Sequence, residues 1–198
     1  LGDVYKRQSN DNKVLYDFFQ TGTYDKNREF VLTTSPSMDI LISSNLERLI
    51  YLICGEDSEK TKELMEELKT TGKYTITPEM KEKLADFAAG YSTEEETAES
   101  IHDTYQKTGY VMDTHTAVAA HVCGQYRGKS GDQTKCVIAS TASPYKFVKS
   151  VMSAIDAENE NADEFDLLPK LQEVSGVPMP QAIKDILDAK VLHNLECD

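Results

Sequence analysis

The run from Cys136 to Ser140, CVIAS, constrains the fold more than any other stretch of this sequence. Its apolar residues, 137–139, follow one another without a polar residue between them, a pattern typical of a strand covered on both faces. Such a strand needs hydrogen-bonding neighbours on both edges, because unpaired backbone groups are costly when buried. Residues 135–140 are therefore predicted to form a buried parallel strand with neighbours elsewhere.

Few other segments of the chain resemble strands. Residues 110–113 and 29–33 are short candidates, and helix signals dominate the rest of the 198 residues. Most of the sheet that residues 135–140 require is then missing from this sequence. We interpret the chain as the C-terminal part of a larger α/β protein. The residues leave open an alternative, a helical domain with one small β-ribbon.

Capping residues and closing glycines delimit the predicted helices. Ser44 with Glu47, and Thr93 with Glu96, have the spacing of a capping box, and Thr77-Pro78 is an N-cap followed by a proline in the first turn. The predicted helical segments are 12–20, 46–54, 59–71, 79–89, 94–108, 116–127, 145–157, 164–174 and 180–189.

The composition argues against several classes of function. Lys and Arg number 21 and Asp and Glu 34, so the net charge is −13, whereas a nucleic-acid binder needs a basic face. No apolar run approaches the ~20 residues of a membrane span. The cysteines form no C-x-x-C pair and the histidines no H-E-x-x-H motif. The sequence therefore favours no metal site and no disulfide framework, and a cytoplasmic location is expected.

Hydroxyl residues follow the predicted strand: Ser140, Thr141 and Ser143. Open α/β sheets bind ligands at the carboxyl ends of their strands, and a helix beginning at Ser143-Pro144 offers free N–H groups to an anion. Thr141 is thus a candidate ligand-binding residue. The alternatives are that Ser143 only caps a helix and Thr141 forms a turn, or that the hydroxyls belong to a phosphosugar site or an interaction surface.

Four stretches, in order along the chain, resemble one known family. They are VLYDFFQTGTYDKNREF (14–30), TTSPSMDILISSNLERL (33–49), GYVMDTHTAVA (109–119) and IASTASPYKF (138–147). Together they are similar to landmarks of threonine synthase, a pyridoxal-phosphate (PLP) enzyme of fold type II, in its longer bacterial-type form. The resemblance runs from about Ser9 to Cys197. It implies a helix-rich C-terminal part of the tryptophan synthase β-like α/β fold, with few strands.

The resemblance implies an activity. Threonine synthase, a carbon–oxygen lyase acting on phosphates, converts O-phosphohomoserine and water to threonine and phosphate in threonine biosynthesis, with PLP as electron sink. The family binds PLP through a lysine Schiff base within a Ser-Phe-Lys-Asp type stretch, and holds its phosphate with a glycine-rich loop. Neither motif occurs here, so the N-terminal half is an expected partner and the chain alone is expected to be inactive. The alternative is a stand-alone helical binding or scaffold domain derived from the same fold.

The resemblance also assigns site residues. Thr141 matches the position whose hydroxyl contacts the pyridine nitrogen of PLP. Asp113 and His115 match an acid-Pro-His landmark near the cofactor, although Thr114 stands where proline is common. His115 is a candidate for proton transfer, and a capping or packing role is the alternative. Ser143, where some members carry histidine, is a further cofactor-binding candidate.

Lys146 is interpreted as a surface charge or a contact to the substrate anion. It is not the Schiff-base lysine, because it lies in the first turn of a helix in the wrong part of the fold.

The predicted organisation follows the resemblance. Residues 1–8, LGDVYKRQ, do not resemble the family; they are interpreted as a non-native leader and left out of the fold argument. Residues 9–55 and 109–155 are assigned to the large PLP-binding domain, and residues 56–108 to a helical insertion. Residues 156–198 are predicted to be an acidic linker followed by C-terminal helices.

Overall fold

The computed structural model describes residues 5–190 and residue 192, without the side chains of residues 5–7. His193 and Cys197 lie outside the described residues. Helices make up most of the described chain, and four short strands accompany them. In chain order the elements are β1 (Tyr5–Ser9), α1 (Val14–Thr21), β2 (Thr23–Asp25), α2 (Ser44–Ile53), α3 (Ser58–Thr71), β3 (Lys73–Thr75), α4 (Pro78–Glu82), β4 (Phe87–Tyr91), α5 (Glu94–Thr108), α6 (Thr114–Ser130), α7 (Val148–Ile155), α8 (Glu164–Ser175) and α9 (Gln181–Leu187).

Short 3₁₀ helices complete the described chain at Pro36–Met38, Pro144–Phe147 and Ala157–Asn159. Two irregular segments matter for the site. We call residues 29–43 the polar connector and residues 131–143 the return segment.

Local capping chemistry explains most helix ends. Thr93 and Glu96 form the predicted capping box at α5, and the Thr77 side chain caps α4 with Pro78 in its first turn. The predicted box at Ser44 is wrong, because α2 begins after Ser43 without a side-chain cap. Helix α6 passes through Gly128 and ends at Gly131, whose φ of 70° is the left-handed conformation that favours glycine at a helix end.

The strands form two separate pairs. β1 runs parallel to β4, with Ser9 opposite Tyr91, and β2 runs antiparallel to β3, with Thr23 opposite Thr75. Residues 5–8, which the sequence interpretation left out of the fold, thus contribute to β1. The predicted helix 79–89 is wrong after Glu82, because residues 83–86 form a turn and residues 87–89 belong to β4. At Gly90 a Cβ atom would lie 2.7 Å from Val122 Cγ1 of α6, so the glycine allows this strand to pack closely on the helix.

The three predicted strands are absent from the described structure. Residues 135–140, 110–113 and 29–33 have no regular secondary structure, and the Val137 side chain is 92% exposed. The physical reason is that a strand exists only with a hydrogen-bonded neighbour, and no described segment pairs with these residues. The three strand predictions are therefore wrong for the described structure.

Two clusters of buried apolar side chains hold the helices together. The first joins α1, α2 and α3 to β2, β3 and α4, and it includes Phe18, Tyr24, Ile50 and Tyr74. Because it spans residues 14–84, it crosses the boundary predicted at residue 56. The second cluster joins α5, α6, α7 and α8, with Ile101, Val148, Val151, Leu167 and Leu171 almost fully buried.

Candidate functional site

Asp113 organises the beginning of α6. Its side chain is fully buried, and Oδ1 accepts hydrogen bonds from the backbone N–H groups of His115 (2.9 Å) and Thr116 (3.2 Å). The Thr116 hydroxyl donates to Oδ2. A carboxylate in this position satisfies the free N–H groups of the first turn and complements the positive end of the helix. Asp113 is therefore the N-cap of α6, whereas the sequence analysis had left a capping role open for His115.

His115 lies beside this cap and touches the polar connector. Its Nε2 accepts a hydrogen bond from Ser37 N–H (3.1 Å), and its Nδ1 lies 3.4 Å from Asp113 Oδ1. Burial lowers the pKa of the imidazole, and the nearby Lys146 adds to this lowering, whereas Asp113 opposes it. The contacts agree with a neutral ring that carries its proton on Nδ1, since Nε2 is an acceptor. The ring also packs against Phe147, with centroids 4.8 Å apart.

The return segment runs back along α6 and brings the predicted hydroxyls to this cap. The Ser140 and Thr116 hydroxyl oxygens lie 2.9 Å apart, which connects the segment to the Asp113 cap. Thr141 is the next residue and is exposed. Within the described residues, hydrogen-bonded neighbours are found for the hydroxyls of Ser140 and Ser143 but not for that of Thr141.

Ser143 and Lys146 lie beyond this point. The Ser143 hydroxyl accepts a hydrogen bond from Tyr145 N–H (3.3 Å) and caps the 3₁₀ helix Pro144–Phe147. This is the capping role that the sequence left open for Ser143. Lys146 is exposed, and its Nζ lies 5.3 Å from the Phe147 ring centroid. Its position close to His115 is compatible with an anion contact, which stays a prediction.

Sequence reasoning missed a buried polar network on the other side of His115. Asn10, only 1% exposed, donates from Nδ2 to Asp39 Oδ1 (2.6 Å) and to Thr33 Oγ1 (2.9 Å). Asn12 exchanges two hydrogen bonds with the backbone of Val31. The signal was the run Ser-Asn-Asp-Asn (9–12) before α1, because buried asparagines need partners. The network fixes the polar connector, whose Ser37 N–H contacts His115.

The contacts described above bring together the residues of the candidate site. Asp113, His115, Thr116 and Ser140 are brought together, and Thr141 stands next to them with a hydroxyl that other described residues leave unengaged. A neutral hydroxyl can donate to, or accept from, a ring nitrogen without fixing its protonation. The Thr141 hydroxyl is thus able to bond one edge of a pyridine-type ring. None of the described helices is long and apolar enough to cross a membrane.

Comparisons with known proteins relate this chain to threonine synthase. Residues 116–190 match the family profile described as "Threonine synthase, C-terminal". The chain is 32% identical over 202 residues to threonine synthase of Saccharomyces cerevisiae, covering 94% of this chain and 39% of that protein. It is 37% identical over 172 residues to human threonine synthase-like 1, covering 86% of this chain and 23% of that protein. The chain is a homologue of the C-terminal portion of threonine synthase.

Solved structures of threonine synthase share the fold of this chain. The yeast threonine synthase structure matches 89% of this chain with a TM-score of 0.75 and 31% identity, over 38% of its own length. The PLP-bound threonine synthase of Brucella melitensis matches 77% of this chain with a TM-score of 0.71 and 37% identity, over 32% of its length. The predicted fold class, a helix-rich α/β fragment that matches part of the threonine synthase structures, is confirmed. The chain spans less than two fifths of each of these relatives.

Proposed function

We propose that this chain forms the C-terminal part of an enzyme that converts O-phosphohomoserine and water to threonine and phosphate, in the cytoplasm. The observation that carries the proposal is the placement of Thr141, an exposed hydroxyl beside the Asp113 cap, in a chain homologous to threonine synthase. The cofactor of this chemistry, PLP, supplies an electron sink when bound. Thr141 would hydrogen-bond its ring nitrogen and orient one edge of the ring.

The other residues of the site receive supporting roles. Asp113 holds the first turn of α6 and, through Thr116, the position of Ser140. The neutral His115 is the candidate for proton transfer, although its Nε2 already accepts the Ser37 N–H, which favours a positioning role for the ring. Lys146, as an exposed cation near His115, is the candidate for contact with the substrate phosphate.

The lysine that binds the cofactor and the phosphate-binding loop would come from an N-terminal half of the same enzyme. An apolar stretch supports such a partner: Phe30 and Val31 are 46% and 38% exposed, and Leu32 is 82% exposed. Exposed apolar surface of this kind is typical of a protein–protein interface. We propose that the 198 residues alone are inactive.

A chimaera tests the proposal. Residues 9–190 would replace the matching part of yeast threonine synthase, and release of phosphate from O-phosphohomoserine would be measured beside the unmodified yeast enzyme. Phosphate release coupled to threonine formation is expected. A folded chimaera that binds PLP but releases no phosphate would contradict the proposal. It would favour the alternative, a helical binding or scaffold domain, for which the two hydrophobic clusters already provide a packed body.

Thr141 variants of the same chimaera test the site. Thr141→Val keeps the shape and removes the hydroxyl, so an acceptor on the ring loses its partner, and turnover is expected to fall roughly 5- to 100-fold with a smaller change in KM. Thr141→Ser keeps the hydroxyl and should recover most of the activity. Thr134→Val, an exposed threonine of the return segment, is the matched control and should behave as the parent. Near-normal turnover of Thr141→Val would remove Thr141 from the site.

A further inference from the structure

Two cysteine thiols face each other between α6 and the return segment. The Sγ atoms of Cys123 and Cys136 are 3.0 Å apart, about 1 Å more than the ~2.05 Å of a disulfide bond. Neither takes part in a disulfide; Cys123 is buried on α6, and Cys136 is half-buried. We propose that Cys123 and Cys136 form a thiol–disulfide modification site that reversibly links the return segment to α6.

The geometry of the segment supports this proposal independently of the thiol distance. The segment and the helix run in opposite directions and touch at successive points. Arg127 donates to the Thr134 carbonyl (2.8 Å), Cys123 meets Cys136, and Thr116 meets Ser140.

The spacing of these contacts is regular. From Cys123 to Thr116 the helix rises about 10 Å at 1.5 Å per residue, and from Cys136 to Ser140 an extended chain covers about 13 Å. The two flanking contacts therefore hold the thiols opposite each other, so their approach follows from the path of the backbone.

The proposed reaction needs an oxidant, which is a small-molecule disulfide such as oxidised glutathione. The Cys136 thiolate, the more exposed of the two, attacks this disulfide and releases one small thiol, which gives a mixed disulfide on Cys136. The Cys123 thiolate then attacks the Cys136 sulfur and releases the second small thiol. Two protein thiols are oxidised to one disulfide, and the small disulfide is reduced to two thiols. Excess small thiol reverses both steps.

The link would act on the candidate site through the backbone. Ser140 and Thr141 lie four and five residues beyond Cys136 on the same segment. In the reduced protein, the contact between Ser140 and Thr116 connects this part of the segment to α6, whereas a disulfide would hold Cys136 covalently. The proposed modification therefore restricts the segment that carries Thr141, whether or not a cofactor is bound.

Redox titration of the purified 198-residue chain tests the proposal. The chain would be equilibrated in reduced and oxidised glutathione at graded ratios, with and without urea, and the remaining thiols alkylated. Trypsin places Cys54, Cys123, Cys136 and Cys197 in separate peptides, because lysine or arginine residues lie between them. Mass spectrometry then identifies each pair directly.

The native chain is expected to link Cys123 to Cys136 at a glutathione ratio that leaves the urea-unfolded chain reduced. The effective concentration of one thiol towards the other should be at least tenfold higher in the native chain than in the urea-unfolded chain. Cys54 should remain a thiol and be recovered in alkylated form at every glutathione ratio. The Cys54→Ser variant should give the same titration as the parent. Equal titrations with and without urea would overturn the proposal, as would glutathione on Cys136 without a link to Cys123.

Limited proteolysis gives a second readout. Lys135 is exposed next to Cys136, so trypsin should cut after Lys135 more slowly in the oxidised chain, by severalfold. The Cys136→Ser variant replaces the half-buried thiol and leaves the buried one, and its cleavage rate should not respond to the oxidant. An oxidised parent that is cut as fast as the reduced one would show that the link does not restrain the segment.

Discussion

The polar connector and the return segment are both irregular and rich in hydroxyls, yet they are held in different ways. Asn10, Asn12 and Asp39 fix the polar connector through a buried network that ties together residues 29 positions apart in sequence. The return segment has contacts to α6 only at separate points, and Val137 is almost fully exposed. The difference indicates that buried side-chain hydrogen bonds can hold an irregular segment that has no strand partner. An apolar segment without such hydrogen bonds depends instead on other parts of the protein packing against it.

This comparison also explains what the sequence could predict. The helices could be predicted because their caps are local: Thr77-Pro78, Thr93 with Glu96, and Gly109 lie next to the turns that they stabilise. Strand pairing is not local, so the parallel pair β1–β4 was missed and residues 135–140 were assigned to a ladder that the described residues do not provide. The buried partners of Asn10 were invisible for the same reason.

The largest effect is expected from breaking the network under the polar connector. Asn10→Ala removes the donor to Asp39 and Thr33 and the acceptor of Asn12 N–H. The Asn12 N–H group loses its acceptor, whereas Asp39 Oδ1 and Thr33 Oγ1 each lose one of several hydrogen bonds. An unsatisfied buried group costs about 1–3 kcal/mol and each further lost hydrogen bond about 1 kcal/mol, so the free energy of unfolding should fall by about 3 kcal/mol. Urea denaturation monitored by circular dichroism measures this loss.

The matched control for this variant is Asn45→Ala, since Asn45 is exposed and its side chain accepts a hydrogen bond from Arg48 of the same helix. Its unfolding free energy should stay within about 0.5 kcal/mol of the parent. Equal losses in the two variants would mean that the network contributes no more than a surface contact, and the contrast between the two segments would disappear.

A smaller effect is expected where the return segment meets α6. Thr116→Val keeps the side-chain shape but removes the hydroxyl that donates to Asp113 and lies 2.9 Å from Ser140 Oγ. Loss of a buried hydrogen bond to a carboxylate should lower the free energy of unfolding by about 2 kcal/mol. Ser140→Ala removes only the contact between the segment and the helix, and its cost should stay below about 0.5 kcal/mol.

Hydrogen exchange separates the two losses. Both Thr116→Val and Ser140→Ala should speed amide exchange in residues 137–143, because each removes the same contact of the return segment. Only Thr116→Val should also speed exchange in the first turn of α6. Unchanged exchange in residues 137–143 of Ser140→Ala would show that neighbours other than Thr116 hold this part of the segment.

The smallest effect concerns His115, which connects α6 to the polar connector through Ser37 N–H. Burial lowers the pKa of His115 in the folded chain, below the ~6.5 of an unfolded histidine. Between these two pKa values the unfolded chain binds a proton that the folded chain does not, so the free energy of unfolding falls as the pH falls through this window. Above about pH 6.5 the free energy of unfolding keeps its full value with respect to this group. Below the folded-state pKa of His115 the loss is complete, and the free energy of unfolding no longer changes through this group.

His115→Gln keeps an acceptor for Ser37 N–H and removes the titration. The variant should therefore lose less stability than the parent as the pH falls below about 6.5, and the two unfolding curves should differ mainly in their pH dependence. His102→Gln, at an exposed histidine of α5, is the control and should follow the parent. If His115→Gln also followed the parent, the ring would not be held neutral by its surroundings. The contact between the polar connector and α6 would then be a surface contact, of the same kind as those along the return segment.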